Sequence, residues 1–337
     1  MIRSFSGETA NEAWVRAAEA FATNEVPHSQ GSRCGETDEI LHVGLSVDDP
    51  RQRWVSARRP GLNPAFAVAE TVWLLQGRSD SGFLNSWNSQ LAKFAGFGPR
   101  YHGAYGARLR SHFGLDQLER AWRALSENPE SRQVVLQLWD PKVDLLAEDG
   151  SPQDPDIPCN VCSLLKIRGD RLEWLQVLRS NDLFLGVPYN LIQFTMVQEV
   201  LAGWIGVGLG GYQQITDSLH VYEKDRSAIR ASIREYVPAP INDDHLSLPK
   251  QESGLALSTM EEGIAALASE ELTEVSASNM IQGQSLPDGY RNLLCLVIAE
   301  AARRRGWVDP MAEAVATCSN PMLREVWRLW MERFITP

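Results

Sequence analysis

Apolar positions along this chain follow two periods, one helical and one alternating. Residues 9–23 (TANEAWVRAAEAFAT) place Trp14, Ala17, Ala18 and Phe21 on one helical stripe. After a polar loop, Gly-Ser-Arg-Cys-Gly, the run ILHVGLSV alternates like a strand. Residues 64–77 (PAFAVAETVWLLQG) predict a helix, and residues 115–127 (LDQLERAWRALSE) a second amphipathic one. Asn128-Pro129 ends the latter, and VVLQLWD reads as a strand. Residues 140–157 are a polar, proline-containing connector. Two apolar runs, 161–168 and 171–179, flank Gly169-Asp170 and predict a hairpin. Both faces of its second strand are largely apolar, as in a buried strand. A two-residue turn pairs 168 with 171, so 160 faces 179. Gly186-Val-Pro188-Tyr-Asn190 reads as a turn opening a helix over 190–204, with Ile192, Val197, Val200, Leu201 and Trp204 inward. Residues 237–337 begin loop-rich and continue with three helical patterns, which predicts a small helical addition over 255–337. The class is α+β.

Composition narrows the reading. The 337 residues are 44% hydrophobic and 22% charged, as expected of a globular protein. The net charge of −11 comes without a basic cluster, which argues against DNA as a partner. No apolar run approaches the length of a membrane span and the N-terminus lacks a signal-like apolar stretch, so no membrane association is expected. Five scattered cysteines suit a reducing compartment, and the expected location is cytoplasmic.

The hairpin concentrates the candidate chemistry. It sets Cys159, at the start of one strand, near Arg179, at the end of its partner. A guanidinium beside a thiol favours the nucleophilic thiolate; a buried structural cysteine is the alternative. Cys162 completes a Cys-x-x-Cys, yet residues three apart on a strand face opposite ways and no second pair stands at zinc spacing. Cys162 is therefore read as core, and no metal is expected. Glu70 lies inside an apolar helical run, either at its polar edge or buried with a raised pKa. Asn190 at a helix start is an N-cap candidate. His220 and Tyr222, two apart on a strand, share a face.

The segments Pro158-Cys159-Asn160, Arg179-Ser180-Asn-Asp182-Leu-Phe-Leu-Gly186-Val-Pro-Tyr-Asn190 and His220-Val-Tyr222 resemble the thymidylate synthase family, which includes pyrimidine nucleotide hydroxymethylases. Order, spacing and residue types agree over more than sixty residues. The resemblance implies a mixed β-sheet flanked by helices over 1–236, with 237–337 a loop and helical C-terminal extension. It implies Cys159 as the nucleophile and, through Glu70-Thr-Val-Trp73-Leu-Leu-Gln-Gly77, Glu70 as the catalytic glutamate. Tyr105 would lie near the reacting C5 carbon, with Tyr101 the competing choice. Arg179 and Ser180 would hold phosphate, as would Arg33, unless Arg33 is a solvated loop arginine. Arg132 would reach the phosphate of a neighbouring subunit in a homodimer, while Gln133 replaces the family's second arginine. Asn190 would read the base edge, and His220 and Tyr222 would hold the sugar hydroxyl. Asp182, Trp73 and Gly186 would meet the folate co-substrate, 5,10-methylenetetrahydrofolate.

The resemblance thus implies one-carbon transfer to C5 of a pyrimidine nucleoside monophosphate through a Cys159–C6 adduct. The family's short C-terminal tail and its paired tryptophans are not matched, with only Trp87 nearby, and Asn160 replaces a histidine. An unclamped, wetter pocket favours water over hydride as the final acceptor chemistry, and hence a hydroxymethyl product. Asparagine at 190 favours uracil over cytosine. The alternatives are a thymidylate synthase, a non-catalytic nucleotide- or RNA-binding relative, and a Cys-x-x-Cys oxidoreductase.

Overall fold

The computed structural model describes residues 2–23, 28–32, 35–234, 236–283 and 285–335. Arg33 lies outside them.

Among the described residues seven strands form one mixed sheet: β1 (Arg3–Gly7), β2 (His28–Ser32), β3 (Gly35–Val47), β4 (Val134–Gln137), β5 (Asn160–Arg168), β6 (Arg171–Asp182) and β7 (Gly208–Tyr222). Their order is β1-β3-β7-β6-β5-β4, with β2 paired to β3 off this path. Ten helices of nine or more residues surround it among the described residues: α1 (Ala10–Ala22), α2 (Pro64–Leu75), α3 (Gln117–Glu127), α4 (Gly186–Ile205), α5 (Arg226–Arg234), α6 (Lys250–Ala268), α7 (Glu274–Gly283), α8 (Asp288–Arg305), α9 (Val308–Thr317) and α10 (Pro321–Ile335). Thr9, Asn63 and Asp116 cap α1, α2 and α3 through their side chains, which fixes where each helix starts.

The β5–β6 turn has positive φ at both Gly169 and Asp170, the primed geometry that matches the twist of a two-residue hairpin. Pairing runs from Arg168↔Arg171 to Cys162↔Val177 and then slips, so that Asn160 meets Leu178. The expected facing of 160 with 179 is therefore displaced by one residue. An irregularity at Val161 absorbs the extra residue, and it sets the Cys159 carbonyl opposite the Arg179 amide, 2.9 Å away. Strand β6 also runs three residues beyond Arg179.

Strands β6 and β7 are parallel and joined through α4. Parallel pairing puts their C-terminal ends side by side, with Ser180 opposite Ser218 and Asp182 opposite His220. The N-terminus of α4 returns at that end. Helix α4 starts at Gly186, not at 190, because Pro188 falls in the first turn, where a missing N–H costs nothing. Asn190 is consequently inside the helix and is not its N-cap.

One sheet face is covered by helices and carries the buried residues of β5–β7 and β3. The other is half-exposed, and Cys162 lies there beside Leu164, outside the core. The C-terminal helices pack on the rest of the chain: α6 and α8 contact α2, and Ala256, Ile264, Leu294 and Val297 are continuous with its core.

Candidate functional site

A cavity of about 1480 Å³ opens at the C-terminal ends of β6 and β7. Strand ends, the first turns of α4, one face of α2 and the loop entering β5 meet there, so residues distant in sequence converge. Cys159, Glu70, Tyr105, Arg179, Ser180 and Asn190 all line it, as do Asp182, Gly186, His220 and Tyr222.

Cys159 sits where the approach loop enters β5. One Arg179 terminal nitrogen lies 3.8 Å from its Sγ. That guanidinium is held by the carbonyls of Pro158 and Ile157, each at 2.9 Å. A fixed cation at this distance favours an anionic sulfur.

On α2, Asn63, Phe66 and Glu70 face the cavity at helical spacing. Glu70 Oε2 is buried without a hydrogen-bond partner. Burial pushes the Glu70 carboxyl up to about 8, opposed by a hydrogen bond from Gln193. Glu70 is therefore a carboxylic acid at neutral pH and a proton donor. Trp73 does not reach the cavity. It is buried, and its indole N–H donates to the Asp80 carbonyl at 2.9 Å. Gly106 closes over this end of α2, where even a Cβ would come within 2.6 Å of the Leu74 carbonyl oxygen.

Tyr105, not Tyr101, lines the cavity. Burial, then the charge at Cys159, raises its hydroxyl above the usual tyrosine range, so it keeps its proton. This makes it a hydrogen-bond donor within the cavity. Neighbouring Asn160 is fully buried and bonded through Gln176 to Ser163 and Trp174.

Asn190 donates to Asn181 Oδ1 at 3.2 Å. Glycine is required at 186 because a Cβ there would lie 2.4 Å from that same oxygen. Asp182 Oδ1 accepts the amides of Phe184 and Leu185 at 2.7 and 3.1 Å, whereas Oδ2 is buried without a partner. Burial raises the Asp182 carboxyl. Ser180 Oγ and His220 Nδ1 are 3.4 Å apart, and the His220 and Tyr222 rings meet edge-on at 5.4 Å. Arg132 is exposed just before β4 and does not line this chain's cavity.

Sequence reasoning missed several cavity residues. Asn181 and Gln193 are buried partners of Asn190 and Glu70, and Gln193 follows Asn190 by three on α4, a legible spacing. Asp156 lies three residues before the cysteine. The family's short tail and paired tryptophans are not matched in the sequence, and the C-terminal helices supply part of the cavity wall instead. Arg303, Arg304, Trp330 and Phe334 line the cavity with Trp87. The fully buried Glu300 binds Arg303, Arg304 and the Trp330 indole, and Arg304 continues to the Ser86 and Trp87 carbonyls. Aromatic walls thus exist here, supplied partly by a different element.

Among the described residues no group of three or more His, Cys, Asp or Glu could hold a metal ion, and no helix is long and apolar enough to cross a membrane. A mixed sheet flanked by helices, with further helices after it, is consistent with the thymidylate synthase fold. The chain belongs to the thymidylate synthase family, whose profile matches residues 60–261. It is 37% identical over 201 residues to the deoxyuridylate hydroxymethyltransferase of Bacillus phage SP01, covering 56% of this chain and 51% of that protein. It is 35% identical over 177 residues to the protein of the same name from Pseudomonas phage M6, covering 52% and 49%. A putative thymidylate synthase of Methanothermobacter marburgensis is 33% identical over 231 residues, covering 66% and 94%. The chain spans about half the length of the two phage relatives.

Proposed function

We propose that this chain is a folate-dependent transferase that hydroxymethylates C5 of a uracil nucleoside 5′-monophosphate. The observation that carries the reading is the Cys159 sulfur beside Arg179 in one cavity with protonated Glu70 and Asn190. The names of the phage relatives support the same product.

Attack of the Cys159 thiolate on C6 turns the C5–C4–O4 unit into an enolate, which makes C5 nucleophilic. Glu70 and Asn190 stabilise the charge on the base as hydrogen-bond donors. When bound, methylenetetrahydrofolate supplies the one-carbon unit at the oxidation level of formaldehyde. The cavity fits such a group: Asp182 Oδ2 and Trp87 Nε1 are buried and unpartnered, an acceptor and a donor for a flat heterocycle. Water addition to the C5 methylene completes the hydroxymethyl group.

The Asn181–Asn190 bond supports uracil. With one N–H given to Asn181 Oδ1, Asn190 presents Oδ1 and its other N–H, which match N3–H and O4 of uracil. Cytosine needs both amides flipped, with Asn181 then donating to Asn190 Oδ1. Arg179, Ser180 and Arg33 would hold phosphate, and His220 with Tyr222 the sugar.

A homodimer is part of this reading. Val135 is 49% exposed on the uncovered sheet face, beside half-buried Leu164, Leu175, Val177 and Ile215. Burying that face against a second copy would also bring Arg132 to a neighbouring site. A fully active monomer in sedimentation would contradict it.

C5 methylation is the second reading, favoured by the aromatic wall of Trp87, Trp330 and Phe334, which dries the cavity. Tritium release from C5-labelled nucleotide with product mass analysis decides between them. A gain of about 30 mass units is the expected hydroxymethyl product, while about 14 units would mean methylation. No release, with Cys159→Ala equally inert, would leave a binding protein.

A further inference from the structure

Asp156 is a cavity carboxylate that the roles above leave unused. It lies on the loop entering β5, three residues before Cys159, and lines the cavity with Cys159 and Tyr105. Its Oδ2 accepts the Gly103 amide at 2.8 Å, and its own amide donates to Asp154 Oδ1 at 2.8 Å. The Asp156 backbone also packs closely on Gly103, where an added Cβ would come within 2.7 Å of the Asp156 carbonyl oxygen. The carboxylate is therefore fixed, while Oδ1 has no protein partner among the described residues.

We propose that Asp156 is the general base for the water that adds to the C5 methylene. The inference rests on the hydroxymethylation reading. In the step, the water oxygen forms a bond to the exocyclic carbon and gives its proton to Asp156. The methylene π pair moves into the C5–C4–O4 enolate. That enolate then re-forms the C5–C6 double bond and expels Cys159 as thiolate, and Asp156 returns its proton to solvent.

Most other ionisable groups of the cavity are bound or protonated; Asp182, at the end of β6, and Asp225, just beyond β7, each keep one unpartnered oxygen but do not share the loop that carries Cys159. Glu70 is protonated, and Tyr105 keeps its proton. Asp144 is bound by Arg108 and His102. Glu39 accepts from Ser218, and Glu300 holds its arginines. Asp182 Oδ1 is taken by two amides. Burial raises the Asp156 carboxyl to about 6, with Asp154 adding to the rise and Gly103, His102 and Arg108 opposing it. It is anionic at neutral pH yet more basic than a solvent carboxylate, which suits proton abstraction from water.

The test runs the step backwards without folate. Enzyme and 5-hydroxymethyl-dUMP are incubated in water labelled with heavy oxygen, and the label entering the hydroxymethyl group is followed by mass spectrometry. Thiol-driven debromination of 5-bromo-dUMP, which needs Cys159 addition but no water addition, is measured alongside. Asp156→Asn is expected to slow label exchange at least about 100-fold while debromination changes less than about threefold, and Asp156→Glu is expected to recover exchange. Equal exchange in Asp156→Asn and the native protein overturns the role of Asp156 and leaves hydroxymethylation standing. Debromination without exchange in the native protein overturns hydroxymethylation and this inference with it. Joint loss of both reactions in Asp156→Asn assigns Asp156 to binding or addition and overturns its role as water base.

Discussion

Replacing Glu70 with glutamine should weaken catalysis and strengthen the fold, by an amount that grows with pH. The carboxyl is buried with one oxygen unpartnered, and burial raises it from 4.5 to about 8. Between those two values the unfolded chain releases the proton and the native protein retains it. The native state then binds more protons, so stability falls as pH rises through this window. Integrating the two titrations from about pH 6 to about pH 9 gives a loss of about 2.7 kcal/mol attributable to this side chain. Glutamine has a similar shape and no charge to bury.

The assay is urea unfolding of the native protein and Glu70→Gln at both pH values. Subtracting one pH dependence from the other cancels every other titrating group. The native protein should lose about 2–3 kcal/mol more than the variant over this range. Its kcat should fall through about pH 8 as the acid ionises, whereas the variant should lack that limb and be slower by about 100-fold or more. Parallel stability curves would refute the reasoning, because they would mean that Glu70 is solvated and ionised in the native state.

Gly186→Ala improves intrinsic helix propensity yet forces its Cβ onto Asn181 Oδ1. It should cost about 1–3 kcal/mol in chemical denaturation and raise KM for the nucleotide more than it lowers kcat. Asn190→Asp removes the amide donor and should shift the uridylate-to-cytidylate kcat/KM ratio by about tenfold or more toward cytidylate, read by competition between the two nucleotides. Glu300→Ala strands Arg303 and Arg304 and frees the Trp330 indole; it should cost about 3 kcal/mol and raise KM for the one-carbon donor, with nucleotide KM within about twofold.

The hairpin was legible because its turn residues and its alternation agree with each other. The slip at Val161 was not, since a bulge is selected by how the two strands meet and leaves no periodic trace. The start of α4 was misread for a similar reason. Gly-x-Pro resembles a turn locally, but the close approach of Asn181 explains the glycine and the first-turn position tolerates the proline. The C-terminal helices were visible as elements, yet where they pack depends on contacts between distant segments. Their contribution to the cavity wall could not be read from periodicity alone.

One signal was partly readable and sorts the two buried acids. Glu70 and Glu300 both interrupt apolar helical runs. Around Glu70, the positions three and four residues away are Phe66, Ala67, Trp73 and Leu74; only Trp73 carries a donor, and its indole N–H is given to the Asp80 carbonyl. Around Glu300, the positions three and four residues onward are Arg303 and Arg304, and both guanidiniums bind it. Burial alone pushes both carboxyls up. At Glu300, hydrogen bonds from Arg303, Trp330 and Arg304 outweigh burial and hold the carboxyl below its ordinary value. At Glu70, the hydrogen bond from Gln193 is too little, and the acid stays protonated. An acid flanked by cations at helical spacing can thus serve as a structural anchor. One flanked only by apolar side chains, facing a cavity, is left able to give up a proton, and this is the difference that separates the wall of the cavity from its chemistry.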